Sequence, residues 1–267
     1  MRIGIVAPAR GIDPASADRV KDLVGTRAEL LFHPQCFLSH GHFAGHDGAR
    51  ADALVALAND PATNTIWFAR GGYGAIRLLP AVLPRLEAIA FTKRWIGYSD
   101  TATLLAALHR AGATVAHGPM VADVRRVGGD AAVLRVVDWL LDDAPESLEP
   151  ALDGPAFAFN LTILGHLCGT PYLPDMAGAE LLVEEIAEPI YRIDRIFAQL
   201  HAAGILSSLS GLRLGRISDV PPNDPDFGQD EETVTRHWCD VAGIPFNGRA
   251  DIGHDADNKV VPFGLLR

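Results

Sequence analysis

The chain has 267 residues, 48% of them hydrophobic, which is enough to bury one large core or two smaller ones. Its 23 Lys and Arg residues are outnumbered by 33 Asp and Glu residues, so the formal net charge is −10. Such an acidic chain lacks the basic surface that binds nucleic acid or anionic lipid. We therefore expect a small-molecule or peptide partner, and neither nucleic acid nor a membrane.

Strand and helix patterns alternate through the first half of the chain. Strands are predicted over RIGIVAP, AELLFHP, NTIWFA, RWIGYS and ATVAHGP, and helices over DPASADRVKDLVG, DGARADALVALAND, AIRLLPAVL and DTATLLAALHRAG. This alternation predicts βαβ units and a doubly wound, mostly parallel α/β sheet. Ligands bind such sheets beyond the carboxyl ends of the strands, so the residues that follow the strands are the first candidates for a site.

The N-terminus and the cysteines indicate a cytoplasmic protein. The first apolar run breaks at Pro8 and no small-residue cleavage pattern follows, so it predicts a core strand rather than a signal peptide. Cys36, Cys168 and Cys239 are odd in number and widely spaced, which is typical of reduced thiols rather than a disulfide framework. No run approaches the ~18 consecutive apolar residues that a membrane-spanning helix needs.

Residues 142–155, DDAPESLEPALDGP, are acidic and rich in proline, which predicts a linker. The predicted domains are then residues 1–141, an α/β domain, and residues 156–267, a smaller β-rich domain. In the second domain, strands are predicted over AELLVEEI and LRLGRIS, and helices over NLTILGHLCG, YRIDRIFAQLHAAG and ETVTRHWCDVAG.

A glycine-rich segment, FARGGYGAIRLLP, lies between a predicted strand and a predicted helix. It is not a dinucleotide fingerprint, because Arg77 occupies the position of the third glycine. Two interpretations of Gly71, Gly72 and Gly74 stay open. One is a tight turn that requires the positive φ of glycine; the other is a cradle of backbone N–H groups for an anion or an oxyanion.

Ser99 lies where a predicted strand meets a predicted helix. Serine and aspartate at such a junction are common helix N-caps, and Asp100 is well placed for that role. A nucleophile elbow also holds a serine on a sharp strand-to-helix turn, although Thr101 here replaces the second glycine of the G-x-S-x-G pattern. The junction alone favours the cap.

The acid and base candidates lie in the second predicted domain. Glu184 and Glu185 end an apolar strand and point to opposite faces, so one can face a site while the other meets solvent or pairs with Arg192 or Arg195. Among ten histidines, His254 follows a glycine in a predicted loop. No group of side chains has the spacing of metal ligands, so neither a metal nor another cofactor is expected.

Several segments together resemble the LD-carboxypeptidase family of serine peptidases, which includes the microcin C immunity proteins. They are FARGGYGAIRLLP, IGYSDTATLL, AHGPM, LCGTPYLPDMAGAELLVEEIAEPIYRIDRIFAQL and GIPFNGRADIGH with VPFG. The resemblance runs from residue 3 to about residue 264. It implies an α/β domain, a smaller β-rich domain and an active site between them, with Ser99, Glu184 and His254 as a catalytic triad.

The resemblance also implies an oxyanion site made by the backbone N–H groups of Asp100 and of the Gly71–Gly72 pair, with Gly72 favoured. Arg70 lies at the carboxyl end of a central strand, where it is expected to bind the free carboxylate of a substrate together with the glycine loop.

We therefore expect a serine carboxypeptidase that releases terminal D-alanine from cytoplasmic muropeptides in cell-wall recycling. Arg249, Ala250 and Asp251 precede the Gly-His pair in place of an apolar, proline-containing stretch. Hydrolysis of aminoacyl-nucleotide-like peptides, as in microcin C immunity, is the alternative within the class. A non-catalytic binder of a small anion is the alternative outside it. A homodimer is a further expectation that the sequence does not decide.

Overall fold

The computed structural model of the protein describes residues 1–150 and 152–264. The strands are β1 (Arg2–Val6), β2 (Glu29–Phe32), β3 (Thr65–Phe68), β4 (Arg94–Gly97), β5 (Thr114–His117), β6 (Ala156–Asn160), β7 (Glu180–Ile186), β8 (Gly211–Ser218), β9 (Phe246–Arg249) and β10 (Val261–Pro262). The α-helices are α1 (Pro14–Val24), α2 (Asp47–Asn59), α3 (Leu79–Val82), α4 (Ala88–Phe91), α5 (Ala102–Arg110), α6 (Gly129–Asp142), α7 (Leu161–Leu167), α8 (Ile190–Ala202) and α9 (Glu231–Ala242).

The first sheet has six strands in the order β10-β5-β4-β3-β1-β2. Strands β1 to β5 are parallel and β10 is antiparallel to β5. Every residue of β3 is buried, because helices cover both faces of a sheet of this kind and its strands are therefore continuous apolar runs. The predicted α/β architecture with a mostly parallel sheet is confirmed.

The second sheet contains the parallel strands β6-β7-β8-β9. Alternate residues of its strands enter two different cores: Phe157 and Phe159 pack into the large core of the molecule, whereas Ala156 and Ala158 pack against Ile252 and its neighbours. Helix α8 packs against α7 and α9. The second, smaller domain is confirmed, and its sheet is parallel and packed with helices.

The C-terminal part of the chain returns from the second sheet to the first. After β9, residues 250–260 lead to β10, where Val261 pairs with His117 at the edge of the first sheet. The segment predicted as a linker contacts both units: Leu148 forms a bridge with Val260, and Glu149 is buried against Arg213 of β8. The boundary between the domains stays a prediction, and residues 142–150 are anchored at Ala144, Ser147 and Glu149, which are buried, while most of the segment is exposed.

No helix within the described ranges is both long enough and apolar enough to cross a lipid bilayer.

Candidate active site

Ser99 is held on a sharp turn between β4 and α5. Its φ is +58°, in the left-handed region that non-glycine residues adopt at a cost of roughly 1–2 kcal/mol. Gly97 allows the turn to close, since a Cβ there would lie 2.6 Å from Thr101 Oγ1. No side chain forms a cap hydrogen bond at the start of α5 or of the 3-10 turn before it. The helix-cap interpretation is therefore wrong for Ser99 and for Asp100.

The three residues predicted as a triad lie together between the two sheets. His254 Nε2 is 3.0 Å from Ser99 Oγ, and His254 Nδ1 is 2.6 Å from Glu184 Oε2. Neutral His254 with its proton on Nδ1 donates to the carboxylate, which leaves Nε2 free to accept the serine hydroxyl hydrogen. Glu184 is fully buried and the His254 side chain is 9% exposed. The arrangement can transfer a proton from the serine to the imidazole.

The surroundings of His254 favour its charged form. Burial alone would lower the pKa of the imidazole, but the Glu184 carboxylate outweighs this effect and the pKa is raised above its ordinary 6.5. The Tyr98 ring packs 4.9 Å from the imidazole, between centroids. An imidazolium formed when His254 accepts a proton is therefore stabilised in place.

Glu184 and Glu185 point to opposite faces of β7, as the strand alternation predicts. Glu185 is buried and accepts hydrogen bonds from Asn160 Nδ2 and from the backbone N–H of Thr162, both at 2.7 Å. We expected one of the two glutamates to meet solvent or to pair with Arg192 or Arg195. For Glu185 this expectation is wrong, because its carboxylate binds the start of α7 instead. Burial raises the pKa of Glu185, which these donors oppose.

The glycine loop passes directly beside the serine. A Cβ on Gly71 would lie 3.2 Å from Ser99 Oγ. Gly72 has a φ of +114°, and a Cβ there would lie 2.5 Å from Arg10 Cδ. The loop thus needs glycine both for its backbone conformation and for the close approach to its neighbours. This position is suited to backbone donors for an oxyanion.

Asp100 connects the serine turn to the glycine loop. Its Oδ2 accepts a hydrogen bond from the backbone N–H of Ala75 at 2.8 Å. Burial raises the pKa of Asp100 to about 6, although the N–H groups of Ala75 and Gly74 act against this. The carboxylate therefore fixes the end of the loop relative to Ser99, a role that the local sequence pattern did not predict.

Comparison with known proteins identifies the family. Residues 3–118 match the LD-carboxypeptidase N-terminal domain, and residues 153–266 match the LD-carboxypeptidase C-terminal domain. The chain belongs to the LD-carboxypeptidase family. It is a serine-type carboxypeptidase, and the resemblance inferred from the sequence is confirmed.

Relatives and solved structures cover nearly the whole enzyme. A putative carboxypeptidase from Synechocystis sp. is 33% identical over 88% of this chain and 79% of its own length. The murein tetrapeptide carboxypeptidase of Pseudomonas aeruginosa is 28% identical over 98% of this chain and 91% of its own. The muramoyltetrapeptide carboxypeptidase structure from Oxalobacter formigenes has a TM-score of 0.82 and 26% identity, covering 99% of this chain and 93% of its own.

The fold is shared more widely than the sequence. The structure of the microcin C7 self-immunity protein with aspartyl sulfamoyl adenosine has a TM-score of 0.80 over 98% of this chain and 91% of its own, at 19% identity. At that identity, the likeness concerns the fold of the enzyme alone.

An arginine holds the loop of the enzyme that carries His254. The guanidinium of Arg216, on β8, donates to the Asp255 carboxylate through two nitrogens and to Asp251 Oδ1 at 2.5 Å. Asp251, one of the residues that precede the Gly-His pair, has its carboxylate engaged by this arginine. The clamp contacts the chain on both sides of His254 and so limits the movement of the imidazole.

The same loop is tied to the first domain. Asn258 is fully buried, and its Oδ1 accepts a hydrogen bond from the Gly253 N–H at 3.2 Å and lies 2.9 Å from His117 Nε2. Arg135 of α6 donates to the carbonyl oxygens of Ala256 and Asn258 at 2.7 and 2.9 Å. The loop that carries His254 is therefore hydrogen-bonded to elements of both sheets, which fixes the position of the imidazole.

Arg70 lies at the carboxyl end of β3, as predicted, and is partly buried. Its Nη1 donates to the Gly11 carbonyl oxygen at 3.4 Å. The structure adds Arg10, whose side chain crosses Gly72 and which no sequence motif indicates. Its position after β1 is the signal that could have found it, because β1 and β3 are neighbours in the sheet.

Proposed function

We propose that this carboxypeptidase cleaves the amide bond between an L-configured centre and a terminal D-amino acid in muropeptides. Ser99 acts as the nucleophile, His254 as the general base and Glu184 as the orienting acid. The observation that carries the proposal is the hydrogen-bonded series from Ser99 through His254 to Glu184, with distances of 3.0 and 2.6 Å. A serine hydroxyl needs such a base to attack an amide at neutral pH.

The reaction follows from this arrangement. His254 Nε2 accepts the hydroxyl proton as Ser99 Oγ attacks the carbonyl carbon, and the backbone N–H groups of Asp100 and Gly72 stabilise the oxyanion. Glu184 stabilises the imidazolium, which then protonates the nitrogen of the departing D-amino acid. Water attacks the acyl-enzyme with His254 again as base, and releases the shortened peptide with Ser99 restored.

The substrate class is supported by the named relatives. The relatives from Pseudomonas aeruginosa and Oxalobacter formigenes are called tetrapeptide carboxypeptidases of murein and muramoyl peptides. We infer that the released residue is D-alanine and that the reaction belongs to cell-wall recycling in the cytoplasm. The widely spaced cysteines are all free thiols, which suits a reducing compartment.

The proposal is tested by a product analysis. The wild-type protein and Ser99→Ala are incubated with a muropeptide tetrapeptide and, separately, with an aminoacyl sulfamoyl adenylate, and the products are identified by mass spectrometry. We expect the wild type alone to convert the tetrapeptide to tripeptide and D-alanine. A fluorophosphonate probe should label the wild type at Ser99.

Two outcomes would contradict the proposal. Cleavage of the adenylate without cleavage of the tetrapeptide would assign the enzyme to the microcin-immunity type of reaction. Absence of both probe labelling and cleavage would favour a protein that binds a small anion without catalysis.

A further inference from the structure

We propose that Arg10 and Arg70 together bind the free carboxylate of the residue that the enzyme releases. The inference rests on the proposed function, because it concerns the leaving end of the same substrate. The inference adds Arg10 to the site. It also explains why the enzyme would cleave at the terminal residue rather than within a peptide.

The positions of the two arginines follow from the topology of the first sheet. The strands lie in the order β2-β1-β3-β4-β5. From β1 the chain adds β2 on one side, and it then adds β3, β4 and β5 on the other side, so the strand order reverses between β1 and β3. Ligands of doubly wound sheets bind at this point, beyond the carboxyl ends of the strands. Arg10 follows β1 and Arg70 follows β3, with Ser99 after the adjacent strand β4.

Arg10 is built into the glycine loop. Its backbone N–H donates to the Gly71 carbonyl oxygen at 3.3 Å. Its Cγ and Cδ occupy the space of a Cβ on Gly72, at 2.6 and 2.5 Å from that position. The arginine side chain therefore crosses the loop at the residue proposed to donate to the oxyanion, and the absent Cβ of Gly72 makes the room for it.

The two arginines differ from their neighbours in ion pairing. Among the described residues, neither Arg10 nor Arg70 forms a salt bridge, whereas the neighbouring Arg125 pairs with Asp13 at 3.2 Å and Arg126 with Asp123 at 2.7 Å. In a chain with a net charge of −10, an unpaired cationic pair beside a site is suited to a substrate anion.

The electrostatics of Arg70 agree with this view. Burial lowers the pKa of its guanidinium, and the nearby guanidinium groups of Arg10, Arg125 and Arg126 lower it further. Among the largest influences on this pKa, the Asp13 carboxylate acts in the opposite direction. A bound carboxylate would relieve this repulsion, and among the described residues Arg70 and Arg10 are the members of the group without a carboxylate partner.

The dimensions of the substrate match the position. The terminal carboxylate of a C-terminal residue is separated from the scissile carbonyl carbon by one nitrogen and one Cα, which places it about one residue length, ~3.5 Å, beyond the bond that breaks. Gly71, next to Gly72, already approaches Ser99 Oγ so closely that a Cβ would lie at 3.2 Å. A carboxylate beside the loop is thus in range of Ser99.

The test compares a tetrapeptide with its C-terminal amide in the wild type, Arg10→Ala, Arg70→Ala and the control Arg125→Ala. Removing a charged hydrogen-bond donor should lower kcat/KM for the free acid about 10- to 100-fold, mainly through KM. The same two variants should cut the amide within about twofold of the wild type. Arg10→Lys should retain part of the preference for the free acid over the amide, and Arg125→Ala should retain all of this preference.

Two further readouts separate this inference from the proposed function. Binding of both peptides is measured by calorimetry on Ser99→Ala protein, with and without Arg10→Ala. Absence of tetrapeptide hydrolysis together with Arg10-dependent binding of the free acid would overturn the proposed function alone. Hydrolysis with an unchanged preference for the free acid in Arg10→Ala and Arg70→Ala would overturn the carboxylate site alone.

A third substrate identifies the carboxylate concerned. In many muropeptides, the residue that contributes the scissile carbonyl is a diamino acid whose side chain carries a second carboxylate. Replacing this diamino acid by lysine removes that carboxylate. If the effect of Arg10→Ala disappears with the lysine peptide rather than with the amide, the pair binds the side chain of the diamino acid and the inference is overturned.

Discussion

The backbone of Ser99 lies in the left-handed region, at a φ of +58°, and its side chain is the proposed nucleophile. The two properties can be separated by two substitutions at the same position. Alanine removes the hydroxyl and retains the conformational cost, whereas glycine removes both.

We expect Ser99→Ala and Ser99→Gly each to lose turnover by roughly 10⁴-fold or more, as for removal of a nucleophile from a triad. Ser99→Gly should be more stable than Ser99→Ala by about 1 kcal/mol, because glycine adopts this φ readily. Denaturant unfolding of both variants measures the difference. An alanine variant as stable as the glycine variant would contradict the strained turn, and one that retains turnover would contradict the nucleophile.

Glu184 and Glu185 are adjacent, and both are buried, yet they contact different groups. Glu184→Gln should lower kcat by two or more orders of magnitude with a small effect on stability, because it removes the charge that orients His254. Glu185→Gln should leave kcat near wild type and lower the melting temperature, because its carboxylate accepts from Asn160 and Thr162. The opposite pattern would exchange the two assignments.

The raised pKa of His254 has opposite effects on activity and stability. Activity requires the neutral imidazole, so kcat/KM should fall as the pH drops through a pKa above 6.5. Stability gains from the protonated form, so this contribution is present below about pH 6.5 and is lost as the pH rises through the folded-state pKa.

A pH series of kcat/KM checks the first effect, with Asp100→Asn as the control. Asp100 has a pKa of about 6, so it is the other group of the site that titrates on the acid side. The fall in kcat/KM at low pH should persist in Asp100→Asn. Its disappearance there would assign the fall to Asp100, and a flat wild-type profile from pH 5 to 8 would contradict His254 as the base.

At the scale of elements, the loop that carries His254 depends on Arg216 of β8. Arg216→Ala should lower kcat about 10- to 100-fold with a smaller change in KM, because a displaced imidazole transfers the proton less effectively. Arg216→Lys should restore part of the activity. Arg249→Ala is the matched control, since Arg249 lies before the same loop and its nearest carboxylates, on Glu231 and Glu232, are 3.7 Å away.

The rate of fluorophosphonate labelling separates positioning from a general loss of stability. It should fall in Arg216→Ala at temperatures where the variant is fully folded. Unchanged labelling and kcat in a variant with a lower melting temperature would show that Arg216 only stabilises the loop.

The first domain could be predicted from the sequence because buried parallel strands are short apolar runs between helical patterns. Strand β6 has the same character but directly follows the proline-rich segment 142–155, and it was not predicted. Helix α6 was not predicted either, although its apolar residues recur at helical spacing. Strand β9 alternates between partly buried and exposed residues and has no distinctive apolar run.

The candidate site could be predicted where short motifs mark it, as at Ser99 and at the Gly-His pair of His254. The role of Asp100 could not, because its carboxylate binds the backbone of a loop 25 residues earlier in the chain. The role of Arg10 could not be predicted either, because it requires β1 and β3 to be adjacent, and hydrophobic periodicity does not give the order of the strands. Such residues become visible only when the order of the strands is known.

At the scale of the whole molecule, a buried ion pair joins the segment between the sheets to β8. Glu149 is fully buried, and its Oε1 accepts from Arg213 Nη2 at 2.5 Å while its Oε2 accepts from the Asp251 N–H at 2.7 Å. Glu149→Gln should destabilise the protein by about 3–5 kcal/mol, because it leaves the buried guanidinium without its carboxylate. Thermal unfolding should show a decrease in Tm of roughly 10 °C.

The control is the exposed pair of Lys21 and Asp18, which are 3.0 Å apart. Asp18→Asn should change stability by less than about 1 kcal/mol, because water screens the pair. Equal effects of the two substitutions would show that the buried pair stabilises the protein no more than an exposed pair does.

The return of the chain to the first sheet also has a consequence for synthesis. Ser99 and His254 are 155 residues apart, and the loop that carries the imidazole folds against both sheets. When β1 to β5 have left the ribosome, Ser99 has been synthesised but His254, its base, has not. On the proposed mechanism, the growing chain is an inert peptidase until the segment around His254 has emerged, so a hydrolase made among other nascent peptides becomes active only after the strands of both sheets have been synthesised.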